Sequence, residues 1–318
     1  MTTSYVATGP EDLIALAPTV LRFDPEDSVV VLTFGAPGNA FHARVELPRR
    51  PREQDEVADV ILRAMKSNHL RDCAVLVYSK DHAAAAAQGR KLNRKLRRSG
   101  IRVVDVLIVD GDRYFKVLRG DDKGTMFDIS AHPFTARRVL DGVVVHKSRD
   151  DLAATLDPDD VAAAGHPALI EAAQRWAAVA RDGVAEAQWV RSVMREAVAV
   201  GEIAESDLPR LLADLRILEL TDVAWSAIEP GDADVHVELW RDLVRRVPQE
   251  YVDGPACLLA FAAWLAGDGA LAWCGLDRCG PDVPMADMLK ELLYSAVPPR
   301  LWPGLSAEQL TALRGPAA

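Results

Sequence analysis

Between residues 28 and 118 the chain alternates short apolar runs with segments of helical spacing. The runs Ser28 to Phe34 (SVVVLTF), Cys73 to Ser79 (CAVLVYS) and Arg102 to Val109 (RVVDVLIV) are rich in β-branched residues and predict strands. Helical spacing from His82 to Arg98 joins the last two runs, which predicts a parallel, right-handed β-helix-β unit. Further elements of this half are strands at 41–47 and 113–118, a turn at 35–39 and a helix at 53–69. These elements predict an α/β domain on a mixed sheet.

Beyond residue 167 the apolar positions recur with helical spacing. Glycine and proline divide this half into helices predicted at 168–181, 184–200, 207–228, 234–247, 255–266, 268–279, 285–296 and 306–314. Residues 119–167 contain many turn residues and predict a loop-rich connector with one or two short helices. We therefore expect an α/β domain over 1–150 and an all-α domain of helical hairpins over 151–318.

Composition narrows the class of protein. The chain has 318 residues, of which 49% are hydrophobic and 26% charged, and its formal net charge is -10. This charge argues against whole-surface attraction to nucleic acid or anionic lipid, although a local basic patch remains open. The first residues lack the features of a signal peptide, and the uncharged stretch 254–267 is shorter than the roughly 20 residues that cross a bilayer. A cytoplasmic protein without a membrane partner is expected.

The four cysteines do not predict a metal site or a disulfide framework. They are too few and too unevenly spaced for a disulfide framework, and the motif of a zinc deaminase is absent. We expect Cys73, Cys257, Cys274 and Cys279 to be small buried residues.

Polar residues follow two neighbouring strands of the predicted parallel pair. In open α/β sheets ligands tend to lie beyond the carboxyl ends of such strands. The candidate ligand site therefore comprises the residues after the strands ending near 79 and 109, namely Ser79, Lys80, Asp81, His82, Asp110 and Asp112. A helix amino terminus, a lysine and paired carboxylates could there hold a phosphate and a magnesium ion. The structural alternative is a helix N-cap at Asp81 and an ordinary Asp-Gly-Asp turn.

The segment FDPEDS precedes the first strand and raises a separate question. Its polar residues, Asp24, Glu26, Asp27 and Ser28, are typical of a turn whose side chains bond nearby backbone N–H groups. If the first strand is parallel to the other two, FDPEDS lies opposite the candidate ligand site. If the strand is antiparallel, the segment lies at the same edge as that site.

The helix predicted at 82–98 is unusually basic. It carries Arg90, Lys91, Arg94, Lys95, Arg97 and Arg98, and no acidic residue occurs between 83 and 104. Leu92 and Leu96 predict a narrow docking seam, with arginines on the far side. That face could bind RNA, DNA or an acidic partner, or it could be paired with acids of the same protein. It lacks the aromatic residues of a nucleic-acid stacking platform.

Several longer motifs resemble those of a known family. They are LRFDPEDSVVVL near the start, DGDRYFKVL at 110–118, HPFTARRVLDGVVVHKSRDDLAATL at 132–156, and LLAFAAWLAGDGALA followed by VPPRLW towards the end. Through these motifs the chain resembles an uncharacterised actinobacterial family called domain of unknown function 4192. The resemblance implies a cytoplasmic protein with an α/β amino-terminal part and a helical carboxyl-terminal part, and it implies no activity. The basic helix departs from the mixed charge expected of the family.

Three functions stay open on the sequence. The leading hypothesis is an interaction or regulatory protein, with an anion or small-ligand site on the α/β domain and a helical domain that binds a protein partner or self-associates. The first alternative is a magnesium-dependent enzyme acting on a phosphate-containing substrate at the candidate ligand site. The second is nucleic-acid binding through the basic helix alone. Neither a Walker loop nor a GxGxxG fingerprint occurs, so no motif identifies a cofactor.

Overall fold

The computed structural model of the protein describes residues 5–35 and 41–309. The chain forms two compact units. The first consists of residues up to Leu152 together with Leu292–Pro298, and the second of Ala153–Glu291 together with residues from Pro299 onward. Two predicted elements lie partly outside the described residues, namely the turn at 35–39 beyond Gly35 and the helix at 306–314 beyond residue 309.

The first unit is built on a six-stranded mixed sheet. Its strands are β1 (Ser28–Phe34), β2 (His42–Glu46), β3 (Asp72–Tyr78), β4 (Arg102–Asp110), β5 (Arg113–Lys116) and β6 (Thr125–Met126). They lie in the order β2-β1-β3-β4-β5-β6. β1 is antiparallel to both of its neighbours, whereas β3 and β4 form a parallel pair. The strands predicted from the apolar runs therefore form the centre of the sheet.

Helices cover both faces of this sheet. The helices of this unit are α1 (Pro10–Leu21), α2 (Pro51–Ser67), α3 (His82–Arg98), α4 (Pro133–Leu140) and α5 (Arg149–Ala154), whose end crosses the unit boundary; α1, α2 and α3 are those that pack on the sheet. α2 and α3 share a core with the strand residues that point to their side, such as Val29 and Val31. Val30 and Leu32 point to the opposite face and are also buried, and α1 contacts β1, β2 and β4. Burial on both faces explains why the strands read as continuous apolar runs.

A glycine allows α3 to approach β4 closely. A Cβ atom at Gly89 would lie 2.7 Å from Cγ1 of Val106, which is closer than carbon atoms can pack without displacement. The docking seam of α3 also includes Leu92 and Leu96, both fully buried. This confirms the narrow seam that the sequence predicts.

The second unit is helical. Its helices are α6 (Asp160–Ala163), α7 (His166–Ala177), α8 (Gly183–Val200), α9 (Leu208–Asp214), α10 (Leu218–Ser226), α11 (Ala233–Arg246), α12 (Asp253–Leu265), α13 (Gly269–Leu276) and α14 (Pro284–Tyr294), the last continuing just beyond the unit boundary. α12 packs against α11 and α13, and every residue from Pro255 to Leu265 is buried. Within the described ranges no helix is both long and apolar enough to span a membrane. The predicted fold class, an α/β part on a mixed sheet followed by a helical part, is confirmed.

The single helix predicted over 207–228 is wrong. α9 ends at Asp214 and α10 begins at Leu218, because Ile217 has extended backbone angles (φ -102°, ψ 118°). The Thr221 hydroxyl donates to the carbonyl oxygens of Leu215 (3.0 Å) and Ile217 (3.1 Å). These bonds satisfy carbonyl groups at the break, so the interruption is stable although the sequence carries no glycine or proline there.

Candidate functional site

The carboxyl ends of β3 and β4 and the amino end of β1 lie at one edge of the sheet. Ser28, which begins β1, is paired with Tyr78, which ends β3, and Tyr78 is paired with Val109 of β4. β2 also ends at this edge because it runs antiparallel to β1. The antiparallel direction of β1 therefore brings FDPEDS to the edge that carries the candidate ligand site. We call this region the carboxyl edge.

Asp27 is the centre of a hydrogen-bonded chain at the carboxyl edge. Ser79 Oγ donates to Asp27 Oδ1 at 2.8 Å. The Arg49 guanidinium contacts the other oxygen of Asp27 and also donates to Asp81 Oδ2 at 3.2 Å. The hydrogen bond from Ser79, reinforced by Arg49, holds the pKa of the Asp27 carboxyl below its ordinary value. The side chain of Asp27 thus joins distant segments instead of bonding only its own turn.

Arg49 is the residue of this hydrogen-bonded group that the sequence analysis did not identify. It lies in the short loop between β2 and α2, as Ser79 lies in the loop between β3 and α3. The signal was present in the pair of arginines at 49 and 50 between a strand and a helix. Its position at the carboxyl edge became predictable only once β2 was known to run in the same direction as β3.

Asp81 has a structural role besides its contact with Arg49. It is the N-cap of α3, and its Oδ1 accepts from the backbone N–H of Ala84 at 3.0 Å. Its own backbone N–H donates to Ser79 Oγ at 3.2 Å. Both side chains therefore hold the first turn of α3 in place, which is what N-cap residues do in other helices.

His82 and Asp110 form the second polar contact of the carboxyl edge. His82 Nε2 lies 3.0 Å from Asp110 Oδ2, and the imidazole ring packs against Phe115 with 4.5 Å between ring centroids. When Nε2 donates its hydrogen to Asp110 in neutral histidine, Nδ1 is left as an acceptor. A histidine oriented in this way can accept a proton or a hydrogen bond from a ligand.

The remaining two residues of the predicted ligand site stay apart. Lys80 and Asp112 are both exposed, and within the part of the chain that the structure describes their side chains make no ion pair or hydrogen bond. The described residues also contain no group of three or more histidine, cysteine, aspartate or glutamate side chains arranged to hold a metal ion.

Other residues of FDPEDS lie in different surroundings. Desolvation raises the pKa of Asp24, and the backbone carbonyl of Glu26 accepts from Arg44 at 3.4 Å. Ser28 faces away from α2 and α3, beside Tyr78 on the neighbouring strand. The hydroxyl groups of Ser28 and Tyr78 are both buried and have no hydrogen-bond partner among the described residues. Among the four polar residues of FDPEDS, Asp27 is the one whose side chain forms hydrogen bonds with Ser79 and Arg49.

The basic residues of α3 divide into two sets. Lys91 Nζ lies 2.8 Å from Asp55, and Lys95 Nζ lies 2.6 Å from Asp59, so the lysines pair with acids of α2. The arginines point elsewhere. All four are exposed, and none forms an ion pair with a described residue; they are Arg90, Arg94, Arg97 and Arg98. We call these four residues the arginine ridge, which extends for about 12 Å along the helix.

Charge is divided unequally between the two units. The sequence of the first unit carries 24 lysines and arginines against 21 aspartates and glutamates, a net charge of +3. The remaining residues carry 13 against 26, a net charge of -13. The net negative charge of the protein therefore comes wholly from the second unit, and the arginine ridge belongs to a mildly basic unit.

Comparisons with known proteins identify a family. A search of curated proteins and a search of solved structures each find no match. The model of one family, described as a domain of unknown function, matches residues 10–300, which include the carboxyl edge and the arginine ridge. The chain therefore belongs to the family of domain of unknown function 4192 (DUF4192).

Proposed function

We propose that this protein is an interaction protein whose arginine ridge binds an acidic segment of a protein partner. One observation carries the proposal. The two lysines of α3 are neutralised by Asp55 and Asp59, whereas the four arginines of the same helix are exposed and without an acidic neighbour among the described residues. A cationic surface left free in this way is available to an anion from outside the chain.

The spacing of the ridge places like charges next to one another on the helix. Arg90 and Arg94, like Arg94 and Arg98, are four positions apart on one helix, and like charges at this spacing destabilise a helix by roughly 0.2–0.5 kcal/mol per pair. Nothing in the described first unit offsets that repulsion with an ion pair. An acidic partner would remove the repulsion and gain hydrogen bonds from the planar guanidinium groups, which suit carboxylates.

An acidic protein segment fits the ridge better than nucleic acid does. α3 contains no aromatic residue on which a base could stack. The net charge of -10 on the protein would also repel a long polyanion more strongly than a short acidic peptide, which carries fewer charges. An extended acidic peptide advances about 3.3–3.6 Å per residue, so a short run of carboxylates spans the ridge.

The test measures binding of a labelled oligoglutamate peptide by fluorescence anisotropy. We expect binding that weakens as salt is added, because exposed charges are screened. Reversing the ridge with R90E, R94E, R97E and R98E should weaken binding at least about tenfold, or about 1.4 kcal/mol. The matched control changes charge equally at four exposed basic residues elsewhere in the first unit, with R63E, K66E, R119E and K123E. The control should retain most of the affinity.

Two outcomes would overturn this proposal. If the ridge variant and the control bind oligoglutamate equally, the ridge is not the binding surface. If single- or double-stranded oligonucleotides of the same charge bind more tightly than oligoglutamate, and the ridge variant loses that binding, the surface binds nucleic acid instead.

A second candidate function is supported by the contact between His82 and Asp110. An oriented histidine at the carboxyl ends of parallel strands suits acid–base chemistry on a phosphate-containing substrate. The test is hydrolysis of a chromogenic phosphate monoester, with and without added magnesium. We expect H82Q to abolish the activity while K80Q, at the exposed neighbour, retains it. Absence of hydrolysis by the wild-type protein, or equal rates for both variants, would contradict this function.

A further inference from the structure

The second unit contains a cleft of about 410 Å³ between the end of α7, the start of α8 and the start of α10. This volume is in the range of small-molecule sites. Its lining is mostly apolar and includes three charged side chains. Arg181 and Glu186 lie deep in the helix packing, whereas Glu219 is exposed; the other lining residues are Ala177, Val179, Gly183, Ile217 and Leu220. A cleft with apolar walls and a few buried charges suits a ligand that has both characters.

The charged groups belong to a buried network. Arg181 Nη1 donates to Glu186 Oε2 at 2.8 Å and to Asp214 Oδ1 at 2.5 Å. Arg210 also binds Glu186, with 3.2 Å between its Nε and Oε2, and its guanidinium lies 3.9 Å from the ring centroid of Trp189. The side chains of Arg181, Glu186 and Asp214 are 12%, 6% and 0% exposed. These ion pairs fix the orientation of Arg181, because a buried charge needs a partner and few others lie within reach inside the unit.

The hydrogen-bond donors that remain in the cleft belong to Arg181, whereas the exposed Glu219 adds a carboxylate to the lining. Both carboxylate oxygens of Glu186 are occupied by arginine N–H groups. Arg181 uses only Nη1, so its Nε and Nη2 groups have no hydrogen-bond partner among the residues described for this unit. These atoms are not enclosed by protein. One edge of the guanidinium is therefore available to a group that accepts two parallel hydrogen bonds, as a carboxylate does.

The mouth of the cleft is apolar and exposed. Val179 and Ile217, which line it, are 55% and 42% exposed. Further large apolar side chains next to lining residues in the sequence are also exposed, namely Trp176, Val184 and Leu218. Single exposed apolar residues are common, but exposed apolar side chains that line a cleft, as Val179 and Ile217 do, suit the hydrocarbon part of a ligand.

We propose that the cleft binds an amphipathic carboxylate, whose head group accepts hydrogen bonds from Arg181 and whose hydrocarbon chain lies on Val179, Ile217 and Leu220. A cationic head group without acceptor atoms would leave the free N–H groups of Arg181 unsatisfied. A fully apolar ligand would leave those N–H groups without acceptors. The proposal does not depend on the arginine ridge, which belongs to the other unit.

The test titrates the full-length protein with decanoate below its micelle concentration, using isothermal titration calorimetry. We expect one binding site, with affinity at least about tenfold higher than for decyltrimethylammonium or acetate. Decyltrimethylammonium has the chain and the opposite charge, and acetate has the head group without the chain. The ridge variant R90E, R94E, R97E and R98E should bind decanoate as the wild type does, which separates this site from the ridge.

Variants locate the site. V179D removes an exposed apolar wall and adds a like charge, so it should weaken decanoate binding at least about tenfold, and V179N should weaken it less. V161D makes the same change at an exposed valine of α6 away from the cleft and should have no effect. R181Q tests the contact with the head group. If R181Q does not fold, V179D provides the test. Equal affinity for the anionic and cationic amphiphiles, or unchanged binding by V179D, would overturn the proposal.

Discussion

The carboxylate of Asp27 accepts a hydrogen bond of 2.8 Å from the hydroxyl of Ser79, although 52 positions separate the two residues. The contact exists because β1 is antiparallel to β3, so that the residue before one strand meets the residue after the other. Arg49 then joins Asp27 to Asp81, the N-cap of α3. The loops at the carboxyl edge are therefore held together by side chains as well as by the sheet.

We expect Asp27→Ala and Ser79→Ala each to lower the free energy of unfolding by about 1 kcal/mol, because each leaves a hydrogen-bonding group without its partner. The double variant should lose less than the sum of the two losses, since the shared bond can be removed only once. Urea denaturation of the four proteins measures the coupling. The control is Glu26→Ala at the exposed neighbour, which should change stability by no more than about 0.5 kcal/mol. Strict additivity would contradict the contact.

A second prediction concerns the close approach of α3 to β4. Gly89→Ala should destabilise the protein by about 1–3 kcal/mol, because its Cβ would lie 2.7 Å from Cγ1 of Val106 in a filled core. Adding Val106→Ala should restore part of the loss by making room. Gly183→Ala, at the start of α8, is the control, since a Cβ there meets no described atom within 4 Å. Thermal or urea denaturation measures all four proteins, and equal effects of the two glycine variants would refute the packing argument.

Local patterns predicted the central sheet well. β3 and β4 are apolar runs joined by a segment with helical spacing, and such a crossover has essentially one way to pack. The residues after these strands were therefore placed correctly relative to the strands from sequence alone. By contrast, the position of Asp27 depends on the direction of β1, which is set by pairing with distant strands. No local pattern around FDPEDS specifies that direction.

Other features depend on neighbours that the sequence does not reveal. The sequence predicts one cationic face on the basic helix. In the structure its lysines pair with Asp55 and Asp59, because α2 packs beside α3. The break between α9 and α10 depends on a threonine hydroxyl that satisfies carbonyl groups of the preceding turn. Arg181 and Asp214 are 33 positions apart and meet only through helix packing. Periodicity predicts elements, whereas these contacts arise when the elements are assembled.

A third prediction follows from the burial of Asp214. Burial outweighs the attraction of Arg181 and raises the pKa of this carboxyl to about 6, and its Oδ2 has no partner among the described residues. The ordinary pKa of aspartate is about 3.9, so the folded protein binds this proton more tightly than the unfolded chain does. The contribution of Asp214 to stability should therefore fall as the pH rises from about 4 to about 6, by on the order of 2 kcal/mol.

Asp214→Asn tests this dependence because an amide has nearly the same shape and does not titrate in this range. Denaturation with urea at a series of pH values should show a flatter profile for the variant than for the wild type between about pH 4 and pH 6. Glu202→Gln changes an exposed carboxylate of the same unit and should keep the wild-type profile. Parallel profiles for Asp214→Asn and the wild type would show that Asp214 titrates normally.

The last prediction concerns two thiols of the second unit. Cys257 Sγ and Cys279 Sγ lie 3.6 Å apart, and both cysteines are unoxidised. Their hydrogen bond, together with burial, raises the pKa of Cys257 well above its ordinary value, whereas Cys279 is partly accessible. A disulfide needs the sulfur atoms about 1.5 Å closer, which small side-chain rotations can supply. Diamide, a two-electron oxidant, should therefore link them, with the two thiol hydrogens passing to its nitrogen atoms.

Mass spectrometry of peptides digested without reduction should find Cys257 joined to Cys279 and the protein lighter by two hydrogen atoms. Cys257→Ser should abolish the link, while Cys73→Ala, at a buried cysteine of the first unit, should leave it unchanged. Because the bond closes a loop of 22 residues, the oxidised protein should gain about 3 kcal/mol of stability if the bond forms without strain. A product that joins Cys73 or joins two protein molecules would contradict the prediction, since the sulfur atoms that lie 3.6 Å apart are those of Cys257 and Cys279.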